Sequence, residues 1–295
     1  MAILVVHGGA GSILQEDEAA YGRGLAAAAD AGYAVLTSGG TAVDAVLAAV
    51  TAMEADPDAF NAGVGGALTR DGRVELDACV MNSDGRAGAV AAVGNSVHPA
   101  LLAERLRRDG THVLLVAAGA EALEDRPVAN ERLITERSRA QLARWRERRQ
   151  PPVGSATVGA VALADDGGLA AATSTGGVVG QAPGRVGDAP IPGAGTYADA
   201  HAALSCTGKG EAFLRAVTAK AVASMLASGV DMADALRAAL DEVSRLDGSG
   251  GIIVVDPGGA FGYAYSTEAM AYALRAPGVR EEAVGRSADV RVVRP

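Results

Sequence analysis

Along the chain, short apolar runs alternate with longer stretches whose apolar positions recur every three or four residues, so strands and helices are both expected. Residues 3–6 form a continuous apolar run, a buried strand ended by His7-Gly8-Gly9-Ala10-Gly11. An alanine-rich helix is expected over about 17–36, stopped by Gly39-Gly40. Thr41 suits the N-cap of a second helix carrying Val43, Val46, Leu47, Val50 and Met53, which Asp56-Pro57-Asp58 breaks. Short strands are expected at 66–69 and 74–80 around the turn Asp71-Gly72, and another at 87–93. Pro99 fits the first turn of a helix through Leu106, and 113–116 reads as a strand.

From Asn130 to Gln150 the pattern turns polar and arginine-rich, as in a solvated helix, and Pro151-Pro152-Val153-Gly154-Ser155-Ala156 reads as an exposed loop. The apolar pattern restarts at Thr157. Segments 157–163 and 169–175 are expected as a hairpin across Asp165-Asp166-Gly167-Gly168. A glycine- and proline-rich loop region covers 176–195, and a strand covers 202–206. One long helix is expected over 211–227, a second over 232–243, and a last hairpin at 252–255 and 261–265 around Pro257-Gly258-Gly259. Paired strands alternating with paired helices imply an α+β protein, its largely antiparallel sheets covered by helices. The 130–156 break reads as a processing loop inside one fold spanning 1–295, not as a domain linker.

Composition narrows the picture. Hydrophobic residues make up 49% of the 295, with 39 glycines and only 3% aromatics, so the core must be built from Ala, Val, Leu and Ile. A net charge of −9 excludes a general nucleic-acid binder despite the Arg144, Arg146, Arg148 and Arg149 cluster. No run is long and apolar enough to span a bilayer, so no membrane role is expected. The opening residues read as strand, not as a secretion signal, and Cys79 and Cys206 sit in apolar runs as buried thiols. The expected location is the cytoplasm. Residue 203 is Ala and residue 210 is Gly, so the Gly208-Lys209 pair is not a Walker A loop. The four histidines lack metal-ligand spacing.

Three clusters could carry chemistry. Thr157 stands at a loop-to-strand junction. Cleavage after Ala156 would give it a free α-amine, of pKa about 8, able to take the proton of its own hydroxyl. With Thr173-Ser174-Thr175 it forms a cluster of hydroxyls that could orient an amine and relay a proton, Thr175 lying across from Thr157 if the hairpin pairs around its turn; ordinary Thr–Thr cross-strand pairing accounts for the same residues. Arg185 and Asp188 lie three apart in Gly184-Arg185-Val186-Gly187-Asp188 and suit a ligand carrying both carboxylate and ammonium; a surface ion pair is the alternative. Ser205-Cys206-Thr207-Gly208-Lys209-Gly210-Glu211 joins a strand to a helix, and its backbone N–H groups and the Thr207 hydroxyl could hold an oxyanion, or it is a plain turn.

Taken together, His7-Gly8-Gly9-Ala10-Gly11, Phe60-Asn61-Ala62-Gly63-Val64-Gly65, Leu76-Asp77-Ala78-Cys79-Val80-Met81, the Thr157 and Thr173-Ser174-Thr175 segments, Gly184 to Asp188, Gly193-Ala194-Gly195 and Cys206-Thr207-Gly208 resemble the plant-type asparaginases, or isoaspartyl peptidases, of the N-terminal-nucleophile hydrolases. The resemblance covers nearly the whole chain. It implies a four-layer αββα sandwich that cuts itself between Ala156 and Thr157, giving an α-chain (1–156) and a β-chain (157–295), and a dimer of such αβ pairs. It implies an amidohydrolase acting on β-aspartyl peptides and L-asparagine, with no cofactor in catalysis. Thr157 would be the nucleophile, Thr175 would help activate it, Thr207 and Gly208 would hold the oxyanion, and Asn61 would lie nearby. Arg185, Val186, Gly187, Asp188, Thr207, Gly208, Lys209 and Gly210 would contact the substrate. Met53, Glu54, Asp56, Phe60, Ala62 and Val64 resemble the family's sodium-binding loop, implying a structural sodium ion. The family usually has Gly or Asp before the nucleophile; a Cβ at Ala156 predicts slow processing. Lys209 would add positive charge near the pocket. A glycosylasparaginase-like amidase and an uncleaved amino-acid-binding relative are the alternative readings.

Overall fold

The computed structural model describes residues 1–148, 154–155 and 157–295. Strand β1 (Ile3–Gly11) is followed by helices α1 (Glu18–Thr37) and α2 (Ala42–Glu54), strands β2 (Leu76–Asn82) and β3 (Ala87–Val93), and α3 (Pro99–Asp109). Strand β4 (Leu114–Val116), the single turn α4 (Ala118–Glu121) and α5 (Glu136–Arg148) complete the first half. The second half holds β5 (Gly154–Ser155), β6 (Val158–Leu163), β7 (Leu169–Thr175), β8 (Thr196–Ala198), β9 (Ala203–Gly208), α6 (Gly210–Ala216), α7 (Thr218–Ala227) and α8 (Met232–Arg245). It ends in β10 (Gly250–Val255), β11 (Phe261–Tyr265), β12 (Ala269–Ala276), β13 (Val279–Arg286) and β14 (Asp289–Val293).

Among the described residues the strands form two sheets. The larger runs β13-β12-β1-β6-β7-β2-β3-β4, with β5 also pairing β1; the smaller runs β14-β11-β10-β9-β8. Strand alternation explains the stacking. Leu4 and Val6 point from β1 toward α1 and α2, whereas Ile3 and Val5 point into the layer between the sheets, against Ile253 and Val255. Ile252 and Val254, on the opposite face of β10, pack with α7 and α8 through Val222, Leu236 and Val243. The layers are therefore helix, sheet, sheet, helix, as the resemblance implied. Both inner strands must be apolar on both faces, which is why they read as continuous runs. Fully burying one such side chain contributes about 1.5–3 kcal/mol.

Local signals hold where the backbone demands them. Thr41 Oγ1 accepts the Asp44 N–H at 3.1 Å and Asp231 accepts that of Ala233, each capping its helix. Three expectations need correction. The helix expected over 211–227 breaks at Val217, which is left-handed (φ 49°), so that α6 and α7 pack as separate pieces. The strand expected at 66–69 reduces to one bridge, Leu68 with Val74. The chain after Tyr265 adds three strands that no pattern had suggested. Among the described residues no helix is long and apolar enough to cross a membrane.

Candidate active site

Thr157 sits at the head of β6 in the middle of the larger sheet, buried. The β6–β7 register pairs Val158 with Ser174, so one step further sets Thr157 opposite Thr175. The Thr157 hydroxyl donates to Thr175 Oγ1 at 3.1 Å. Thr175 Oγ1 also accepts the Gly177 N–H at 3.0 Å. Asn61 clamps this turn: its Nδ2 donates to the Gly177 carbonyl (2.7 Å), its own carbonyl accepts the Gly176 N–H (2.9 Å), and its Oδ1 accepts from Ala67 N (2.6 Å). The preceding Ala156 lies outside the described residues.

Thr207, near the end of β9, accepts the Ala10 N–H at 3.3 Å, which ties the smaller sheet to β1. Gly208 is left-handed (φ 145°), which places its backbone against Gly250. Two residues further into β7 and β9, on the same faces by alternation, and beyond a register shift in β1, lies a second polar layer. His7 Nε2 is hydrogen-bonded to Ser205 Oγ at 2.9 Å, and Ser205 Oγ to Thr173 Oγ1 at 2.7 Å. Complete burial pushes His7 down to about 3, against a hydrogen bond with the Thr157 backbone that raises it, so the imidazole is neutral. Gly159 makes room for this layer: a Cβ there would lie 2.0 Å from Ser205 Oγ.

Arg185 and Asp188 converge on Gly210, the first residue of α6. A Cβ at Gly210 would lie 2.8 Å from both Arg185 Nη2 and Asp188 Oδ1. Asp188 is buried, and its Oδ2 has no hydrogen-bond partner among the described residues. Burial pushes its carboxyl up to about 7, with the nearby Arg185 opposing. Arg185 is held from behind by Glu211, with Nε donating at 3.1 Å. A buried carboxylate with an open oxygen beside a guanidinium can take a ligand that brings an ammonium and a carboxylate together.

Asp77 supports the same loop. Its Oδ2 accepts the Gly187 N–H (3.2 Å) and its Oδ1 the Ala92 N–H (2.9 Å), and burial pushes it up to about 6. Val186 lies between Arg185 and this anchor. Lys209 is exposed, with Nζ on the Asp247 carbonyl at 2.7 Å. Thr173 and Ser205 belong to hydroxyl and turn clusters that the sequence marks for chemistry, whereas His7 and Asp77 stand there only within longer motifs. A run of buried polar residues at period two was the signal available.

Part of the candidate sodium loop is already committed elsewhere. The Glu54 carbonyl accepts the Val64 N–H (2.8 Å) and that of Met53 accepts from Asp56 (3.2 Å). Asp56 Oδ1 accepts from Asp58 and Ala59, while the Glu54 carboxylate accepts from Ala100 at the start of α3 and meets His98. The guanidinium of Arg137, on α5, donates Nη1 to the Ala59 carbonyl at 2.7 Å and Nη2 to that of Phe60. A sodium ion sharing the Phe60 oxygen would stand within about 5 Å of that guanidinium, a repulsion of about 3 kcal/mol at an effective dielectric near 20. The Phe60 carbonyl, already taken by a guanidinium, fits a further cation poorly.

The family model for Asparaginase matches residues 1–284. The isoaspartyl peptidase of Salmonella typhimurium is 40% identical over 295 residues, covering 91% of this chain and 93% of the relative. The Escherichia coli isoaspartyl peptidase is 39% identical, covering 91% of each. The human isoaspartyl peptidase/L-asparaginase is 39% identical, covering 94% of each.

Proposed function

Since the chain belongs to the asparaginase family, we propose that it hydrolyses β-aspartyl peptides and L-asparagine with Thr157 as an N-terminal nucleophile. The observation that carries this is the Thr157–Thr175 hydroxyl pair, 3.1 Å apart, at the head of a strand that begins where the candidate cleavage bond lies. In the precursor, the Thr157 hydroxyl attacks the carbonyl of Ala156, and water then hydrolyses the ester. The freed α-amine, with a pKa of about 8, takes the hydroxyl proton near neutral pH. Thr157 then attacks the side-chain carbonyl of the substrate. Thr207 and the backbone at Gly208 stabilise the oxyanion, ammonia or a peptide leaves, and water releases aspartate from the acyl-enzyme. Arg185 takes the substrate α-carboxylate and Asp188 its α-ammonium, with Gly187 and Gly210 contributing backbone.

The site residues need no cofactor for this chemistry. Two αβ units associate in the proposal, and the exposed apolar Val113, Leu114 and Val116 along the sheet-edge strand β4 support a face of that kind. Two buried free cysteines suit a cytoplasmic location. The test is a denaturing mass spectrum paired with ammonia release from asparagine. Wild type gives chains starting at Met1 and Thr157. Thr157→Ala stays intact and inactive. Ammonia release by that variant refutes the mechanism; aspartate binding by wild type without cleavage or turnover points to a binding protein.

A further inference from the structure

The Arg137 guanidinium is a fixed charge in a place where sequence suggests an ion. It reaches from α5, across 77 residues of chain, to two consecutive carbonyls, Ala59 and Phe60. The same loop is keyed on its other side by the Phe60 ring, which packs edge-on against Tyr21 with centroids 5.5 Å apart. The Gly65 N–H donates to the Leu133 carbonyl at 2.8 Å, a second tie between this loop and the segment leading into α5. Loop carbonyls that converge need positive charge or N–H donors. Here the guanidinium fork supplies both at once, in the planar geometry that suits two oxygens.

We propose that Arg137 is the resident cation of the 54–65 loop and, through Asn61, a positioning residue for the nucleophile. The path is continuous. Arg137 holds the two carbonyls immediately before Asn61; Asn61 grips Gly176 and Gly177; Gly177 donates to Thr175; Thr157 donates to Thr175. Among the described residues no hydrogen bond or ion pair joins Arg137 to Arg185 or Asp188, so its loss acts on the nucleophile and leaves substrate capture intact. Two consequences follow. The loop needs no sodium, and α5, the last helix before the cleavage segment, stays coupled to the reacting hydroxyls.

The kinetic half rests on the reading of Thr157 as nucleophile; the cation half stands without it. The experiment uses full-length protein in sodium chloride or choline chloride at equal ionic strength. It reads the thermal unfolding midpoint, kcat and KM for asparagine, for wild type, Arg137→Met and Arg137→Lys. Wild type is expected to show the same midpoint and kcat in both salts. Arg137→Met is expected to lose about tenfold in kcat with KM unchanged, and to become sodium-responsive, its midpoint and kcat rising in sodium but not in choline. Arg137→Lys, which keeps the charge but reaches one carbonyl, is expected to fall between them. A wild-type midpoint that drops when sodium is removed overturns the cation half. Unchanged kcat in Arg137→Met overturns the positioning half; if Arg137→Met does not fold, wild-type kcat in Arg137→Lys overturns it instead. Wild-type protein with no turnover in either salt would refute the proposed function, while the midpoint still decides the cation.

Discussion

Adding one methyl group at Gly159 is expected to cost more than most single substitutions. The new Cβ would lie 2.0 Å from Ser205 Oγ, 2.4 Å from His7 Nε2 and 3.0 Å from Ser205 Cβ. An ordinary carbon contact is about 3.5–4 Å, so the neighbours must retreat by roughly 1.5 Å. Neither can do so without loss. Ser205 Oγ is bonded to both His7 and Thr173, and all three are fully buried between the sheets. Overpacking costs about 1–3 kcal/mol, and leaving a buried polar group unsatisfied costs about 1–3 kcal/mol more. Gly159→Ala should therefore destabilise by about 2–6 kcal/mol, a large share of a typical total of about 5–15. The assay is urea unfolding in a Thr157→Ala background, where the chain is expected to stay whole and refold. Adding Ser205→Ala removes the closest atom, so the double variant should cost less than the sum of the singles. Gly22→Ala is the control: nothing lies within 4 Å of its Cβ, and helix propensity predicts a gain of up to about 1 kcal/mol. A Gly159→Ala cost below about 1 kcal/mol, with an unchanged urea slope, would refute the reasoning.

Further expectations concern the ligand loop and the backbone. Asp188→Asn should raise KM by about tenfold to a hundredfold, the loss of a charged hydrogen bond, with Ala156–Thr157 cleavage unaffected on a denaturing gel. Burial pushes the folded carboxyls of Asp188 and Asp77 up to about 7 and about 6, above the ordinary aspartate value of 3.8. Their contribution to stability is therefore fully present below that ordinary value and is lost as pH rises through 6 and 7. Substrate ammonium needs the charged Asp188, so 1/KM should rise up to about pH 7 and then level off; a KM flat from pH 5 to 8 contradicts this assignment. Ala117 holds φ 47° and ψ −129°, a region that favours glycine, so Ala117→Gly should raise stability by about 1 kcal/mol in urea titrations.

Much of this architecture was legible because inner strands must be apolar on both faces and turns must carry glycine. The Asp165 to Gly168 turn fixed the β6–β7 register, and that register alone brings Thr175 to Thr157. Arg185 and Asp188 were legible from their spacing. Other features were hidden by sequence distance. His7 and Ser205 are 198 residues apart, and neither reveals its partner locally. Arg137 sits on a helix that buries only Ser138 and Leu142, so it reads as one more solvated arginine. Strand β12, Ala-Met-Ala-Tyr-Ala-Leu-Arg-Ala, suits a helix as well as a strand, and β13 is a polar edge whose pairing with β12 decides its form. The break at Val217 places a β-branched residue in a left-handed conformation that local propensity disfavours.

The strand order has a practical corollary. Strand β1 lies between β12 and β6, and β2 lies between β7 and β3. A cut before Thr157 thus leaves two polypeptides woven through one another's hydrogen-bond ladders, like fingers of clasped hands. Neither can be pulled out without unravelling the larger sheet. Gel filtration and other native separations will report one particle before and after the cut, and only a denatured sample reveals that the backbone has been severed.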